Sequence, residues 1–260
     1  MDINTELVPG PDGGVIATVT VQNAAKLNVL DQDRSLRLAA AIRALSARED
    51  LRVCVLRGEG DRALIGGADI AFMTDVQPSG AEAFISSLHD VCDAIRSLPV
   101  PVVARMAGHC HGGGLEVAAA CDIRIADETT MVGMPEVQVG LPSVIEAALL
   151  PRLIGWGRTQ YLIYTGKMID AQTAYAWGMF ERLAPAGDID VVLEDVVNAI
   201  AEAGPRAIRL QKELCRDWEE LSMRDSIQRG IEIMPRAFAT GESQARMRAF
   251  MDQKRDRKRG

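Results

Sequence analysis

The chain has 260 residues, 48% of them hydrophobic and 25% charged, enough to bury a sizeable core, and its formal net charge of −7 argues against a global nucleic-acid or membrane-surface role. No uninterrupted apolar stretch approaches the roughly 20 residues that cross a bilayer, and Met1-Asp2-Ile3-Asn4-Thr5-Glu6 lacks the basic and apolar segments of a secretory signal, so a cytoplasmic location is expected. The five cysteines, Cys54, Cys92, Cys110, Cys121 and Cys215, have no paired spacing and read as reduced core residues.

Short β-rich runs alternate with helical ones along the first half. Strands are expected at 14–21, 52–56, 102–106 and 123–126, with helices at 33–47 and 81–97 between them. This is an α/β rhythm that periodicity alone does not assign to one fold. An Asn-containing turn, Ala25-Lys26-Leu27-Asn28-Val29-Leu30, follows the first strand, and a polar loop followed by Arg62-Ala63-Leu64-Ile65-Gly66-Gly67-Ala68-Asp69-Ile70 comes after the second. From Arg158 the pattern is almost all helical. Pro205 sits at a helix start, with Ile208, Gln211, Leu214 and Cys215 expected on one face. The C-terminal third, with Ile227, Ile231, Ile233 and Met234, offers more apolar surface than a small helical layer needs.

The run His111-Gly112-Gly113-Gly114-Leu115-Glu116-Val117-Ala118-Ala119-Ala120 carries the most chemistry. Glycines opening into an apolar helix let the backbone approach a guest, and the first N–H groups of a helix have no intrahelical partner and favour negative charge. Two readings stand at this point. The glycines mark a tight strand-to-helix turn with Glu116 complementing the helix dipole, or they form an oxyanion site with a carboxylate beside it for proton transfer next to a carbonyl. A second glycine-rich loop at Gly66-Gly67 offers a second donor, and Pro135-Glu136 places another carboxylate 20 residues after Glu116.

From about Gly14 to the C-terminus the chain resembles the enoyl-CoA hydratase/isomerase family, the crotonase superfamily. The resemblance rests on Leu27-Asn28, the Gly66 to Ile70 segment, Gly112 to Glu116, Cys121-Asp122-Ile123-Arg124, Pro135-Glu136 and the terminal Ala249-Phe250-Met251-Asp252-Gln253-Lys254-Arg255, in this order and spacing. It implies an α/β spiral of repeated β-β-α units over 1–195, and a C-terminal helical region over 196–260 that covers the site and packs subunits into a homotrimer or hexamer. It implies a CoA thioester whose carbonyl oxygen lies between the N–H groups of Ala68 and Gly113. Ala25, Lys26, Leu27, Arg62, Gly67, Ala68, Asp69, Ile70, Gly112 and Gly113 are the implied substrate-binding residues. Glu116 and Glu136 are the implied acid/base pair of a hydratase, Glu136 giving the Cα proton and Glu116 handling the water. Coenzyme A would be part of the substrate, with no separate cofactor. Another reaction of the family on a CoA thioester, or a non-catalytic RNA-binding role, is the alternative.

Three further features call for a reading. His109-Cys110-His111 on an extended strand would let the two histidines, but not the cysteine, face one metal; no further ligand cluster follows, so strand positions are expected and no metal, with His111 near the acyl pocket. Ser143-Val144-Ile145-Glu146 has the form of a capping box, in which Ser143 would accept from the N–H of residue 146 and Glu146 would reach back to the N–H of Ser143; the rival is that Glu146 enters the acyl pocket and tunes the other carboxylates. The basic tail Lys254-Arg255-Asp256-Arg257-Lys258-Arg259 reads as a solvated terminus, with contact to a phosphate or a neighbouring subunit as the alternative.

Overall fold

The structure is a computed structural model that describes residues 2–256. The chain opens with an antiparallel pair, β1 (Ile3–Pro9) and β2 (Val15–Val21), then helix α1 (Gln32–Leu45). Strands β3 (Leu51–Gly58) and β4 (Ala63–Ile65) precede α2 (Ile70–Met73) and α3 (Pro78–Ser97). Next come β5 (Val102–Met106), β6 (His109–His111) and α4 (Gly113–Ala120), then β7 (Ile123–Asp127), β8 (Met131–Gly133) and 3-10 turns at Pro135–Val139 and Ile145–Leu149. Helices α5 (Leu150–Ile154) and α6 (Trp156–Thr165), strand β9 (Met168–Asp170), α7 (Ala171–Trp177) and strand β10 (Arg182–Ala184) complete the core layers. The chain ends in α8 (Ile189–Glu202), α9 (Pro205–Glu220), α10 (Met223–Ala239) and α11 (Glu242–Asp256).

The sheets explain the alternation. One is ordered β1-β2-β3-β5-β7-β10 and parallel from β2 onward; the other is ordered β4-β6-β8-β9 and parallel from β4 to β8. After the β1-β2 pair, which lies wholly in the large sheet, the pairs β3-β4, β5-β6 and β7-β8 each give their first strand to the large sheet and their second to the small one before the chain turns back through helical structure. This is the expected succession of β-β-α units. The central strands β3 and β5 are buried on both faces: Ala17, Val19, Cys54, Leu56, Val102 and Ala104 of the large sheet face the main core, and Val53, Val55, Val103 and Ile125 face α8.

The sequence placed the long strands and helices to within a few residues, and missed others. Strand β1, exposed along most of its length, carries no clean alternation, and β4, β6, β8 and β9 have three residues each. Strands β9 and β10 also interrupt the stretch read as almost all helical. The boundary expected between 195 and 196 falls inside α8, whose Ile189 and Leu193 on one side and Val197 and Ala201 on the other pack on the same sheet face. Pro205 does open a helix, but the buried residues of α9 are Lys212 and Leu214; Gln211 is exposed, and so is Cys215, which corrects its reading as a core cysteine. The Lys212 ammonium donates to Ile95 O at 3.1 Å, Val100 O at 3.0 Å and Asp122 Oδ2 at 2.7 Å, tying α9 to the turn after α4. Of the basic tail, Lys254 and Arg255 end α11 and are exposed, while Arg257 to Arg259 lie outside the described residues.

Candidate active site

The ends of β4, β6 and β8 build the site together. Leu27 and Asn28 both adopt positive φ, 57° and 55°. The buried Asn28 amide donates to Ala63 O at 2.8 Å, and its Oδ1 accepts from Asn23 N–H at 2.9 Å, which locks the turn against the start of β4. Beyond β4, Leu30 N–H donates to Gly67 O at 3.0 Å and Asp69 N–H donates to Leu30 O at 2.8 Å. These two bonds flank Ala68, so the Ala68 N–H points away from Leu30, and it has no backbone acceptor among the described residues.

Strand β6 pairs with β4, Cys110 opposite Ile65, and carries the chain into α4 beside the Gly67-Ala68 loop. A side chain on Gly114 would overlap the Ile65 carbonyl, so the start of α4 lies directly on the end of β4. Gly113 is the first residue of α4, where no intrahelical acceptor exists, and its N–H is equally unengaged. The two expected donors are thus both free, on backbone segments in contact. Gly112 adopts φ 50°, and a Cβ there would strike Glu136 Oε1, which accounts for glycine at that position.

The carboxylates converge on these glycines. Glu136 lies at Gly112, and Glu116 Oε2 lies 3.8 Å from where a Gly113 side chain would begin. Glu116 is 3% exposed, and its Oε1 accepts from Ala147 N–H at 3.2 Å. Burial first, and then the charge of Glu136, push its pKa up to about 8. Burial also raises the pKa of half-buried Glu136, against which the Ser143 hydroxyl, donating to Glu136 Oε2 at 2.9 Å, favours the ionised form.

That contact overturns the capping box. Ser143 is spent on Glu136, the turn at Ile145–Leu149 is capped by no side chain, and Glu146 faces inward, 8% exposed, with Oε1 2.8 Å from His89 Nδ1. Nothing in the local pattern announces this; it depends on α3, 57 residues away, delivering His89 to the turn.

The other expected residues are placed as follows. Ala25 and Lys26 are exposed on the turn before Leu27, and Lys26 Nζ lies 3.5 Å from Asp69 Oδ2. The other oxygen of Asp69 caps α2 through Ala71 N–H at 3.0 Å, and Ile70 is exposed on α2. Arg62 lies at the far end of β4 from Ala68 and lines a separate cavity with Arg105, His109, Asp127 and Asp190. His109 and His111 contact each other at 3.2 Å through Nδ1 and Nε2, and burial, then His109, lowers the pKa of His111 to about 4. Among the described residues no group of three or more His, Cys, Asp or Glu side chains could hold a metal, and no helix is long and apolar enough to cross a membrane.

Residues 12–258 match the family model described as Enoyl-CoA hydratase/isomerase. The chain belongs to that family. It is 29% identical over 245 residues to the crotonyl-CoA hydratase of Syntrophomonas wolfei, covering 92% of this chain and 93% of that one. It is 27% identical over 243 residues to the short-chain-enoyl-CoA hydratase of Clostridium acetobutylicum, covering 93% of each. Among solved structures, the enoyl-CoA hydratase of Bacillus anthracis superposes with a TM-score of 0.92 at 26% identity over 97% of both chains, and Pseudomonas aeruginosa DspI with 0.90 at 26% over 97% and 94%. The crotonase-like α/β fold with its C-terminal helices is therefore that of a family whose members include named hydratases.

Proposed function

We propose that this member of the family is an enoyl-CoA hydratase, adding water across the double bond of a 2-enoyl-CoA thioester. The observation that carries the reading is that two carboxylates, buried Glu116 and half-buried Glu136, lie against the same pair of adjacent glycines as a free helix-start N–H. The N–H groups of Ala68 and Gly113 bind the thioester oxygen and stabilise the enolate-like charge that develops on it. A water between the carboxylates attacks Cβ and gives a proton to the ionised carboxylate, while the protonated one delivers its proton to Cα. The pair titrates as a unit holding one proton. Before substrate arrives that proton belongs to Glu116, the more deeply buried of the two. Delivery from Glu136, as the resemblance implies, then follows a shift of the proton across the water.

The exposed ammonium of Lys26, only distantly paired, suits a CoA phosphate, and the backbone from Ala25 to Leu27 and from Gly67 to Ile70 lines the approach to Ala68 in this reading. Arg62, on another cavity, would reach the same ligand only by its long side chain. The apolar stripe exposed on α10 supports a homotrimer or hexamer. Turnover of a panel of 2-enoyl-CoA thioesters of varied length and branching, run in oxygen-18 water, tests the function. Label at Cβ is expected. Label in a free carboxylate would assign a thioester hydrolase, a shifted double bond without label an isomerase, and either would displace hydration.

A further inference from the structure

Glu146 has no part in a two-glutamate reaction, yet it is buried inside the carboxylate cluster. Its Oε1 meets His89, and its Oε2 is buried with no hydrogen-bond partner among the described residues. A half-satisfied carboxylate in the interior costs free energy. The backbone carrying it is strained as well, because the β-branched Ile145 sits at φ 37°. Both costs fall on the one turn that touches Glu116, through the N–H of Ala147.

The groups around this turn are few. Helix α3 supplies His89 and Cys92, α4 supplies Glu116, and the loop after β8 supplies Glu136; His111 on β6 is engaged with His109. Cys92, beside both Glu146 and Glu116, is held as a neutral thiol chiefly by burial. His89 is thus the side chain that meets Glu146. Its side chain is 56% exposed against 9% for Glu146, so the pair runs from solvent into the cluster.

We propose that Glu146 is a positioning residue of the site that acts through Glu116, held in place by its contact with His89. Negative charge at Glu146 adds to burial and to the charge of Glu136, the two larger causes, in keeping the proton on Glu116, so that the catalytic pair holds one proton rather than none. The same turn orients the Glu116 carboxyl through the Ala147 N–H. The catalytic consequence rests on the hydratase reading above; the coupling of Glu146 to Glu116 does not.

The test uses the full chain carrying carbon-13 at the glutamate side-chain carboxyls, with the Glu116 signal assigned by its loss in Glu116→Gln. In Glu146→Gln the Glu116 midpoint is expected to fall by at least about half a pH unit, with the alkaline limb of the kcat profile moving with it and KM nearly unchanged. Glu146→Met, of similar length and without charge, is expected to lower the midpoint as Glu146→Gln does. An unmoved Glu116 midpoint in folded Glu146→Gln overturns the proposal, as does a kcat loss without that movement; if Glu146→Gln does not fold, an unmoved midpoint in Glu146→Met does so. A midpoint that moves in a protein that hydrates no enoyl-CoA would leave the coupling standing and sink the hydratase reading.

Discussion

Helices α4 and α10 are both rich in apolar residues and differ in where those residues go. Every residue from Gly114 to Ala120 is buried, Glu116 included. In α10 only Ser226 and Ile233 are buried, while Met223, Ile227, Ile231 and Met234 are all more than half exposed. A helix apolar on every side belongs inside a chain, and one with a single apolar stripe needs a neighbour to cover it. Desolvation that shifts a carboxyl's pKa is available only in the first setting. Chemistry is expected at α4 and association at α10, and substitutions can break that division.

The largest effects are expected at the carboxylates. Glu136→Gln and Glu116→Gln should each lower kcat by about 10²–10⁴ with little change in KM, and the double variant should lose far less than the product of the two, as a unit does. Steady-state kinetics on the best thioester checks this; ordinary hydration by Glu136→Gln would strip the turn after β8 of the proposed role. The next effect separates donor from side chain at Gly113. A Cβ there meets nothing closer than 3.6 Å, so Gly113→Ala should turn over nearly normally, whereas Gly113→Pro, lacking the N–H, should lose about 10²–10³ in kcat. Equal rates in two folded proteins would remove Gly113 as a donor.

Third, the interior setting of Glu116 should tax stability in a definite direction. Its pKa is raised from 4.5 to about 8, so the folded protein binds a proton that the unfolded chain has released across that range. Stability therefore falls as pH rises from about 4.5 to about 8 and levels off above. Glu116→Gln should flatten this slope and unfold later than the unsubstituted chain at pH 8, by an amount on the order of a few kcal/mol. Denaturant melts at pH 5 and pH 8 decide it, and identical slopes would contradict the assignment of burial as the cause. A smaller effect is expected at Ser143→Ala, which removes the donor to Glu136 Oε2: about 1 kcal/mol of stability and an upward move of the limb belonging to Glu136. The least is expected of Ile231→Ser, under about 0.5 kcal/mol in the fold itself. Its readout is sedimentation, where dissociation to smaller species is expected and an unchanged mass would leave the α10 stripe unexplained.

The parts of the fold that were legible in the sequence are those where one period dominates. Apolar runs such as 102–106 and the helical face through Leu88, Val91, Cys92 and Ile95 needed no tertiary information. The carboxylates Glu116 and Glu136 and the glycine loops were legible because each is a local motif, and their convergence was legible only as what the family resemblance implied. The partners of those carboxylates were not. Ser143 and Glu146 form a valid local capping pattern, and tertiary contacts from Glu136 and His89 outbid it. Cys215 follows the helical period yet is exposed, since α9 turns Lys212 inward instead, where Asp122 and two carbonyls satisfy its charge. Single-chain patterns price a buried lysine out, and only a finished network offsets that cost.

The division of strands between the two sheets has a consequence for how this enzyme family can diversify. Since β4, β6 and β8 run side by side and in parallel, their following loops open at one edge, two of them carrying the N–H groups proposed as donors and the third carrying Glu136 and Ser143. The donors are peptide groups whose placement is fixed by Asn28, Ile65 and Leu30, none of which lies in residues 137–146. That third loop can therefore be rewritten, through insertion or substitution, without dismantling the proposed oxyanion cradle. A single exchangeable segment is a short mutational route to a new acyl group or a new fate for the same enolate.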